Sequence, residues 1–170
     1  MINLREPDEK RLFDVALELA REKHTGQTRK DGTEYILHPI RVAAMIGEAG
    51  YGINYQIAGL FHDLLEDTDI TEEEILFFGA DVLEAVKLVS KNYCTDPIRY
   101  IEKILENHMA LVVKNADRID NLREACYSED PVFQKRYLKD SKEKYEGKFS
   151  VELDECIRSL EEKLCEKQKL

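Results

Sequence analysis

The feature that most constrains the fold is the helical spacing of apolar residues along almost the whole chain. Apolar side chains recur every three or four residues, as between residues 12 and 20 and again between residues 153 and 164. No segment alternates apolar and polar residues in the manner of a half-buried strand. The pattern predicts an all-α protein, a compact single-domain bundle of about eight or nine helices over residues 1–170.

Local signals predict where these helices begin and end. The first helix is expected from about residue 7 to 24, because Pro7 suits a first turn and Gly26 a stop. A polar loop follows over residues 25–37, with a turn at Asp31-Gly32. Further helix starts are predicted at His38-Pro39, at Asn54 as an N-cap, at Thr71 as a capping box, at Asp96-Pro97 and at Pro131, with a last helix after Gly147.

Composition narrows the classes of function. The formal net charge of −10 argues against nucleic-acid or anionic-membrane partners, which bind a basic face. No run of 18 apolar residues is present and residues 1–9 do not resemble a signal peptide, so a cytoplasmic location is expected. None of the four cysteines forms a C-x-x-C pair, which predicts free thiols rather than a zinc site.

The segment LFHDLLEDT, residues 60–68, carries four ionisable groups within six residues of otherwise apolar sequence. On a helix, His62 would lie one turn before Glu66, and Asp63 one turn before Asp67. An imidazole beside a carboxylate is typical of a divalent metal site. The second pair of carboxylates suits either water activation or a second cation.

A second polar set interrupts the apolar segment 109–126. Lys114, Asp117, Arg118 and Asn121 fall on neighbouring turns there, and Asp117 shares a helical face with Asn121. A buried aspartate needs either a metal or an ion pair with Lys114 or Arg118. His38, His62, Asp63 and Asp117 together make a two-histidine, two-aspartate set without thiolate, which fits manganese, iron or zinc.

Four ordered segments carry a family resemblance: HTGQTRKDGTEYILHP (24–39), AGLFHDLLEDT (58–68), FGADVLEAVKLVSK (78–91) and VKNADRIDNLREA (113–125). The pattern H…HD…D resembles the HD superfamily of metal-dependent phosphohydrolases, and the segments are similar to the hydrolase domain of RelA/SpoT homologues. The motifs lie within residues 24–125. Asn115 stands where this family usually has an apolar residue.

The resemblance implies an HD-domain helical bundle with one Mn²⁺ and removal of the 3′-pyrophosphate of (p)ppGpp, giving GDP or GTP. It implies that His38, His62, Asp63 and Asp117 bind the metal and that Glu66 and Asp67 orient or deprotonate the attacking water. Composition alone describes Arg29-Lys30 as a solvated loop tip, whereas the resemblance makes this pair, like Asn121, a nucleotide contact. Lys114 and Arg118 are candidates to hold the polyphosphate, unless they pair with Glu66 or Asp120.

Other functions remain open at this point. HD proteins also hydrolyse nucleoside monophosphates, and relatives of this type are linked to removal of the NADPH 2′-phosphate. A non-catalytic nucleotide sensor is a further alternative, although neither a ligand nor the Glu66-Asp67 pair is missing. Tyr35 would either pack on the base or anchor its loop, and Lys135, Arg136, Tyr137 and Lys144 are candidates to complete the nucleotide pocket. The sequence does not indicate an oligomeric state.

Overall fold

The computed structural model describes residues 6–94, 96 and 99–167, and in this part of the chain the protein is all-α, as predicted. Its strand-like pairing is limited to an isolated bridge between Thr28 and Glu34. The helices are α1 (Glu6–Lys23), α2 (Leu37–Glu48), α3 (Ile53–Phe61), α4 (Leu64–Asp67), α5 (Glu72–Leu76), α6 (Ala80–Val89), a 3₁₀ helix (Lys91–Tyr93), α7 (Arg99–Glu106), α8 (His108–Tyr127), α9 (Pro131–Lys144) and α10 (Val151–Lys167).

The chain divides into two compact units, Met1–Val113 and Lys114–Leu170. In the first unit, helix α3 packs against α1, α2 and α6, and its Ile57, Leu60 and Phe61 are fully buried. Gly59 allows α2 and α3 to approach closely, because a Cβ atom there would lie 2.5 Å from Ile46 Cδ1. This packing fixes the C-terminal end of α3, where the segment 60–68 begins.

The second unit contains most of α8 together with α9 and α10. Helices α9 and α10 pack against each other, and Leu153, Ile157 and Leu160 of α10 are fully buried. Tyr145, at the end of α9, is also buried and carries the Arg118 guanidinium 4.2 Å from its ring centroid. The expectation of one HD-type domain over residues 1–170 stays a prediction.

Several predicted helix starts agree with the structure. The first helix begins and ends within one residue of its predicted limits. Thr71 forms the expected capping box with Glu74 at the start of α5. The backbone N–H of each residue donates to the side chain of the other. Asp130 accepts hydrogen bonds from the N–H groups of Val132 and Phe133 and begins α9. These signals act within one turn, which is why the sequence reveals them.

Two predicted starts are wrong. Gly52, not Asn54, is the N-cap of α3, because the Asn54 amide instead donates to Asp81 Oδ2 at 3.0 Å. Helix α2 begins at Leu37 rather than at Pro39, which lies in its first turn. The Asp96-Pro97 start involves Pro97, which lies outside the described residues.

Among the residues that the structure describes, no helix is both long and apolar enough to span a membrane.

Candidate metal and hydrolase site

The segment 60–68 is not one continuous helix, contrary to expectation. Helix α3 ends at Phe61, and His62 and Asp63 form a turn before the four-residue helix α4. His62 Nδ1 lies 2.8 Å from the Gly59 carbonyl oxygen, so the ring folds back onto α3. Asp63 faces the loop before α2, where Tyr35 Oη donates to its Oδ2 at 2.6 Å. These side-chain contacts set the break, which apolar spacing does not encode.

Asp63 Oδ2 also lies beside two buried histidines. It is 2.9 Å from His62 Nε2 and 3.9 Å from His38 Nε2, and both imidazoles are about 1% exposed. The His38 and His62 rings meet edge to face, with their centroids 5.1 Å apart. His38 reaches this position from the first turn of α2.

The hydrogen bonds of His62 define what its second nitrogen can do. A carbonyl oxygen only accepts, so Nδ1 carries the hydrogen in its contact with Gly59. In a neutral ring, Nε2 is then a lone-pair acceptor that faces a carboxylate oxygen 2.9 Å away. Two acceptors at that distance require a cation or a proton between them. The donor set therefore fits a divalent metal bound through imidazole nitrogen and carboxylate oxygen.

Asp117 is the remaining candidate ligand, and it is buried in helix α8 of the second unit. The assignment of His38, His62, Asp63 and Asp117 as ligands stays a prediction.

The ion pair that competed with metal binding at Asp117 is also present. Lys114 Nζ lies 2.7 Å from Asp117 Oδ2, and Asn121 Nδ2 donates to Oδ1 at 2.5 Å. Both donors favour the ionised carboxylate in a buried position, where an isolated charge would be costly. A metal and these donors are therefore complementary rather than exclusive, because a carboxylate has several lone pairs.

Glu66 and Asp67 face different neighbours. The Glu66 carboxylate accepts a hydrogen bond from the Lys91 backbone N–H, and the Lys91 ammonium lies 3.7 Å from Oε2. Asp67 Oδ2 lies 3.3 Å from Tyr35 Oη, the same hydroxyl that donates to Asp63. Partial burial raises the pKa of Asp67 above its usual value, and the negative charges of Asp63 and Glu66 raise it further.

The predicted substrate residues occupy different surroundings. Arg29 lies in the loop held by the Thr28–Glu34 bridge, with its guanidinium 5.8 Å from the Tyr35 ring centroid, while Lys30 is exposed. Lys114 and Asn121 contact Asp117.

Arg118 is buried in the second unit. It donates to Tyr145 Oη at 3.0 Å and pairs with Asp140 at 3.3 Å, rather than with Asp120. The Tyr137 ring, another candidate for the nucleotide pocket, lies 5.4 Å from the same guanidinium.

The sequence analysis assigned no role to His24 or Gln27. It left open whether Tyr35 packs on the base or anchors its loop. His24 is buried against the Tyr35 ring, and Gln27 donates to the backbone carbonyl of Asp67 at 2.8 Å. The only signal in the sequence is their presence in the segment HTGQTRKDGTEYILHP, which does not reveal a partner 40 residues away. The Tyr35 hydroxyl contacts carboxylates, so this residue anchors more than its own loop.

In this helical chain, two buried histidines and the Asp63 carboxylate offer nitrogen and oxygen ligands to a metal ion. Residues 16–95 match the family model described as HD domain, and the predicted HD-type recognition is confirmed.

Similarity to individual proteins is more specific. A guanosine-3′,5′-bis(diphosphate) 3′-pyrophosphohydrolase of Aquifex aeolicus is 39% identical over 117 residues, which cover 64% of this chain and 17% of the relative. The bifunctional (p)ppGpp synthase/hydrolase SpoT of Escherichia coli is 33% identical over 129 residues, covering 67% and 18%. The chain thus spans less than a fifth of the length of these curated relatives.

A solved structure extends the likeness over nearly the whole chain. It belongs to a metazoan ortholog of SpoT described as hydrolysing ppGpp, with a TM-score of 0.72 and 26% sequence identity. The match covers 94% of this chain and 97% of that chain. The predicted resemblance to the hydrolase domain of RelA/SpoT homologues is confirmed in sequence and in fold.

Proposed function

We propose that this protein is a metal-dependent phosphohydrolase that removes the 3′-pyrophosphate of (p)ppGpp, releasing pyrophosphate and GDP or GTP. The observation that carries the proposal is the position of Asp63 Oδ2, which lies 2.9 Å from His62 Nε2 and 3.9 Å from His38 Nε2, with both imidazoles buried. The similarity to a (p)ppGpp pyrophosphohydrolase in sequence and to a metazoan ppGpp hydrolase in fold supports the choice of substrate.

The proposed site holds a single Mn²⁺, for which Fe²⁺ or Zn²⁺ could substitute. Its proposed ligands are His38, His62, Asp63 and Asp117. The ion would neutralise charge on phosphoryl oxygens and lower the pKa of bound water. Tyr35 holds Asp63 Oδ2 by a 2.6 Å hydrogen bond, which fixes the carboxylate next to both imidazoles. Lys114 and Asn121 hold the two oxygens of Asp117 in the same way.

Glu66 and Asp67 are the proposed groups that orient the attacking water and accept its proton. The raised pKa of Asp67 supports this role, because a general base works best when its pKa approaches the working pH. Glu66 is held by the Lys91 backbone N–H, so its carboxylate has a fixed position.

The proposed contacts to the nucleotide remain Arg29, Lys30, Lys114, Arg118 and Asn121. The location of Arg29 over the ring of Tyr35, whose hydroxyl bonds to Asp63, supports its assignment. Arg118 would need to release Tyr145 or Asp140 to reach a phosphate, so we expect it to contribute least.

The test is a product assay with ppGpp and NADPH side by side, using protein loaded with Mn²⁺. We expect stoichiometric release of pyrophosphate from ppGpp and slower release of phosphate from NADPH. The matched control is Glu66→Gln with Asp67→Asn, which keeps the metal ligands and should reduce turnover at least about 100-fold, the scale of acid–base catalysis. Preferred hydrolysis of NADPH, or no release of pyrophosphate from ppGpp, would refute the proposed substrate.

A further inference from the structure

His24 and Gln27 form a hydrogen-bonded pair at the end of α1. His24 is 3% exposed, and its Nδ1 lies 2.7 Å from Gln27 Oε1. An amide oxygen only accepts, so the His24 Nδ1–H donates to it. Burial lowers the pKa of His24, which favours the neutral ring in this arrangement.

The orientation of the Gln27 amide follows from this first hydrogen bond. Because Oε1 accepts from His24, the NH₂ group points the other way, and Nε2 donates to the backbone carbonyl of Asp67 at 2.8 Å. His24 therefore fixes which end of the Gln27 amide faces α4. The hydrogen bond from Gln27 reaches the backbone carbonyl of Asp67 rather than its carboxylate, so the pair acts on the position of this residue.

Helix α4 depends on such support because it is only four residues long. The last carbonyl groups of a helix accept no hydrogen bond from within it. In α4, the Asp67 carbonyl accepts one from the Gln27 side chain instead. On the other side, the Lys91 backbone N–H donates to the Glu66 carboxylate, and the Asn92 amide lies 3.4 Å from the Leu65 carbonyl. The short helix is thus attached to the segments that lie before and after it in the chain.

The His24 ring also supports the hydroxyl that holds two carboxylates. It packs on the Tyr35 ring, with centroids 4.9 Å apart, and Tyr35 Oη contacts Asp63 and Asp67. His24 therefore acts on Asp67 by two routes, through Gln27 to its backbone and through Tyr35 to its side chain.

We propose that the His24–Gln27 pair is a positioning device that fixes the C-terminal end of α4 and thereby aims the carboxylate of Asp67 at the substrate water. This inference rests on the proposed role of Asp67 in hydrolysis. It predicts that loss of the pair lowers kcat while the affinities for metal and substrate stay unchanged, because neither residue is among the proposed metal ligands or nucleotide contacts.

The experiment compares matched variants. Gln27→Met keeps length and removes both polar atoms, and His24→Leu removes the donor to Gln27. His24→Asn retains a neutral donor near the position of Nδ1 and is the rescue variant. Thr25→Ala is the control, because Thr25 is exposed and its hydroxyl donates to the Arg21 carbonyl of α1.

Two measurements are made on each variant. With Mn²⁺ and ppGpp, Gln27→Met and His24→Leu should lower kcat about 10- to 100-fold, the cost of a misplacement of about 1 Å, with KM and metal content within twofold of wild type. In metal-free protein, hydrogen exchange of the amides of residues 66–68 should accelerate at least about tenfold in both variants. His24→Asn and Thr25→Ala should match wild type in both measurements.

The outcomes separate the two proposals. Inactive wild-type protein would refute the proposed function, while the exchange measurement would still decide whether the pair holds α4. Unchanged exchange and unchanged kcat in Gln27→Met would overturn the positioning role. A fall in kcat accompanied by loss of metal, or without faster exchange at residues 66–68, would overturn it as well.

Discussion

At the scale of single residues, the carboxylates of the candidate ligands Asp63 and Asp117 are held by side-chain donors. Asp117 accepts a hydrogen bond from Lys114 on one oxygen and from Asn121 on the other, and Asp63 accepts one from Tyr35. Such donors keep a ligand ionised and oriented before any ion arrives. Substitution of Asp117 tests the metal site, and substitution of His24 tests how a buried imidazole affects stability.

Replacement of Asp117 by alanine should remove metal and activity together. Without the carboxylate, the buried Lys114 ammonium loses its ion-pair partner, and its positive charge disfavours a cation at this position. We expect metal content, measured by elemental analysis, to fall below about a tenth of an equivalent, since loss of one of three or four ligands weakens binding strongly. Glu152→Ala, which removes an exposed ion pair with Arg123, should retain metal; full metal content in Asp117→Ala would contradict the ligand assignment.

His24 should make the folded protein less stable in mild acid. Its pKa is lowered in the folded state, so below the ordinary histidine value of about 6.5 the unfolded chain binds a proton that the folded chain does not. The free energy of unfolding should therefore fall as the pH drops from 7.5 to 5.5. Urea denaturation in chelator should give a smaller fall for His24→Asn; an equal fall in both proteins would exclude this contribution.

At the scale of elements, caps decide how short helices begin. Thr71 and Glu74 satisfy each other's backbone groups at the start of α5, which has only five residues. Thr71→Ala should lower the free energy of unfolding by about 1 kcal/mol, the usual cost of a lost N-cap. Thr71→Ser keeps the hydroxyl and should stay close to wild type in urea denaturation. Equal losses in the two variants would show that the methyl group, not the cap, matters.

The difference between predicted and observed elements follows from the range of the contacts that define them. Thr71 and Asp130 were identifiable because their partners lie within three residues. The break between α3 and α4 was not, because it depends on Tyr35 and other side chains far away in sequence. Asn54 was assigned as a cap by residue type, but its amide is taken by Asp81, 27 residues further on.

The same distinction applies to the candidate site. Residue type and order along the chain were enough to select His38, His62 and Asp63, and Asp63 Oδ2 lies beside both imidazoles. The contribution of Gln27 could not be foreseen, since an amide in a polar loop has no preferred partner until the fold presents the Asp67 carbonyl. The separate surroundings of Glu66 and Asp67 likewise depend on Lys91 and Tyr35.

At the scale of the whole molecule, metal binding should be coupled to folding. The proposed ligands come from residues 38, 62, 63 and 117, and an unfolded chain does not hold groups so distant in sequence together. The absence of nucleic-acid and membrane partners, which is expected from the net charge of −10, and a cytoplasmic location stay predictions.

Removal of metal should therefore lower the melting temperature. At a metal concentration of about 100 times Kd, binding stabilises the folded state by about 2.7 kcal/mol. For a protein of this size the melting temperature should be about 5–10 °C higher in Mn²⁺ than in chelator. Calorimetry of Asp117→Ala provides the control, because this variant should melt at the same temperature in both conditions. A wild-type protein insensitive to chelator would lack an occupied site.

The double attachment of α4 also fixes an order of events during protein synthesis. His24 and Gln27 leave the ribosome before Asp67 is made, whereas Lys91 follows Glu66 by 25 residues. At elongation rates of about 5–20 residues per second, that interval is about 1–5 s. The donor to the Asp67 carbonyl is thus made before α4 and the donor to the Glu66 carboxylate after it, so the Asp67 end of the helix is the first whose partner exists.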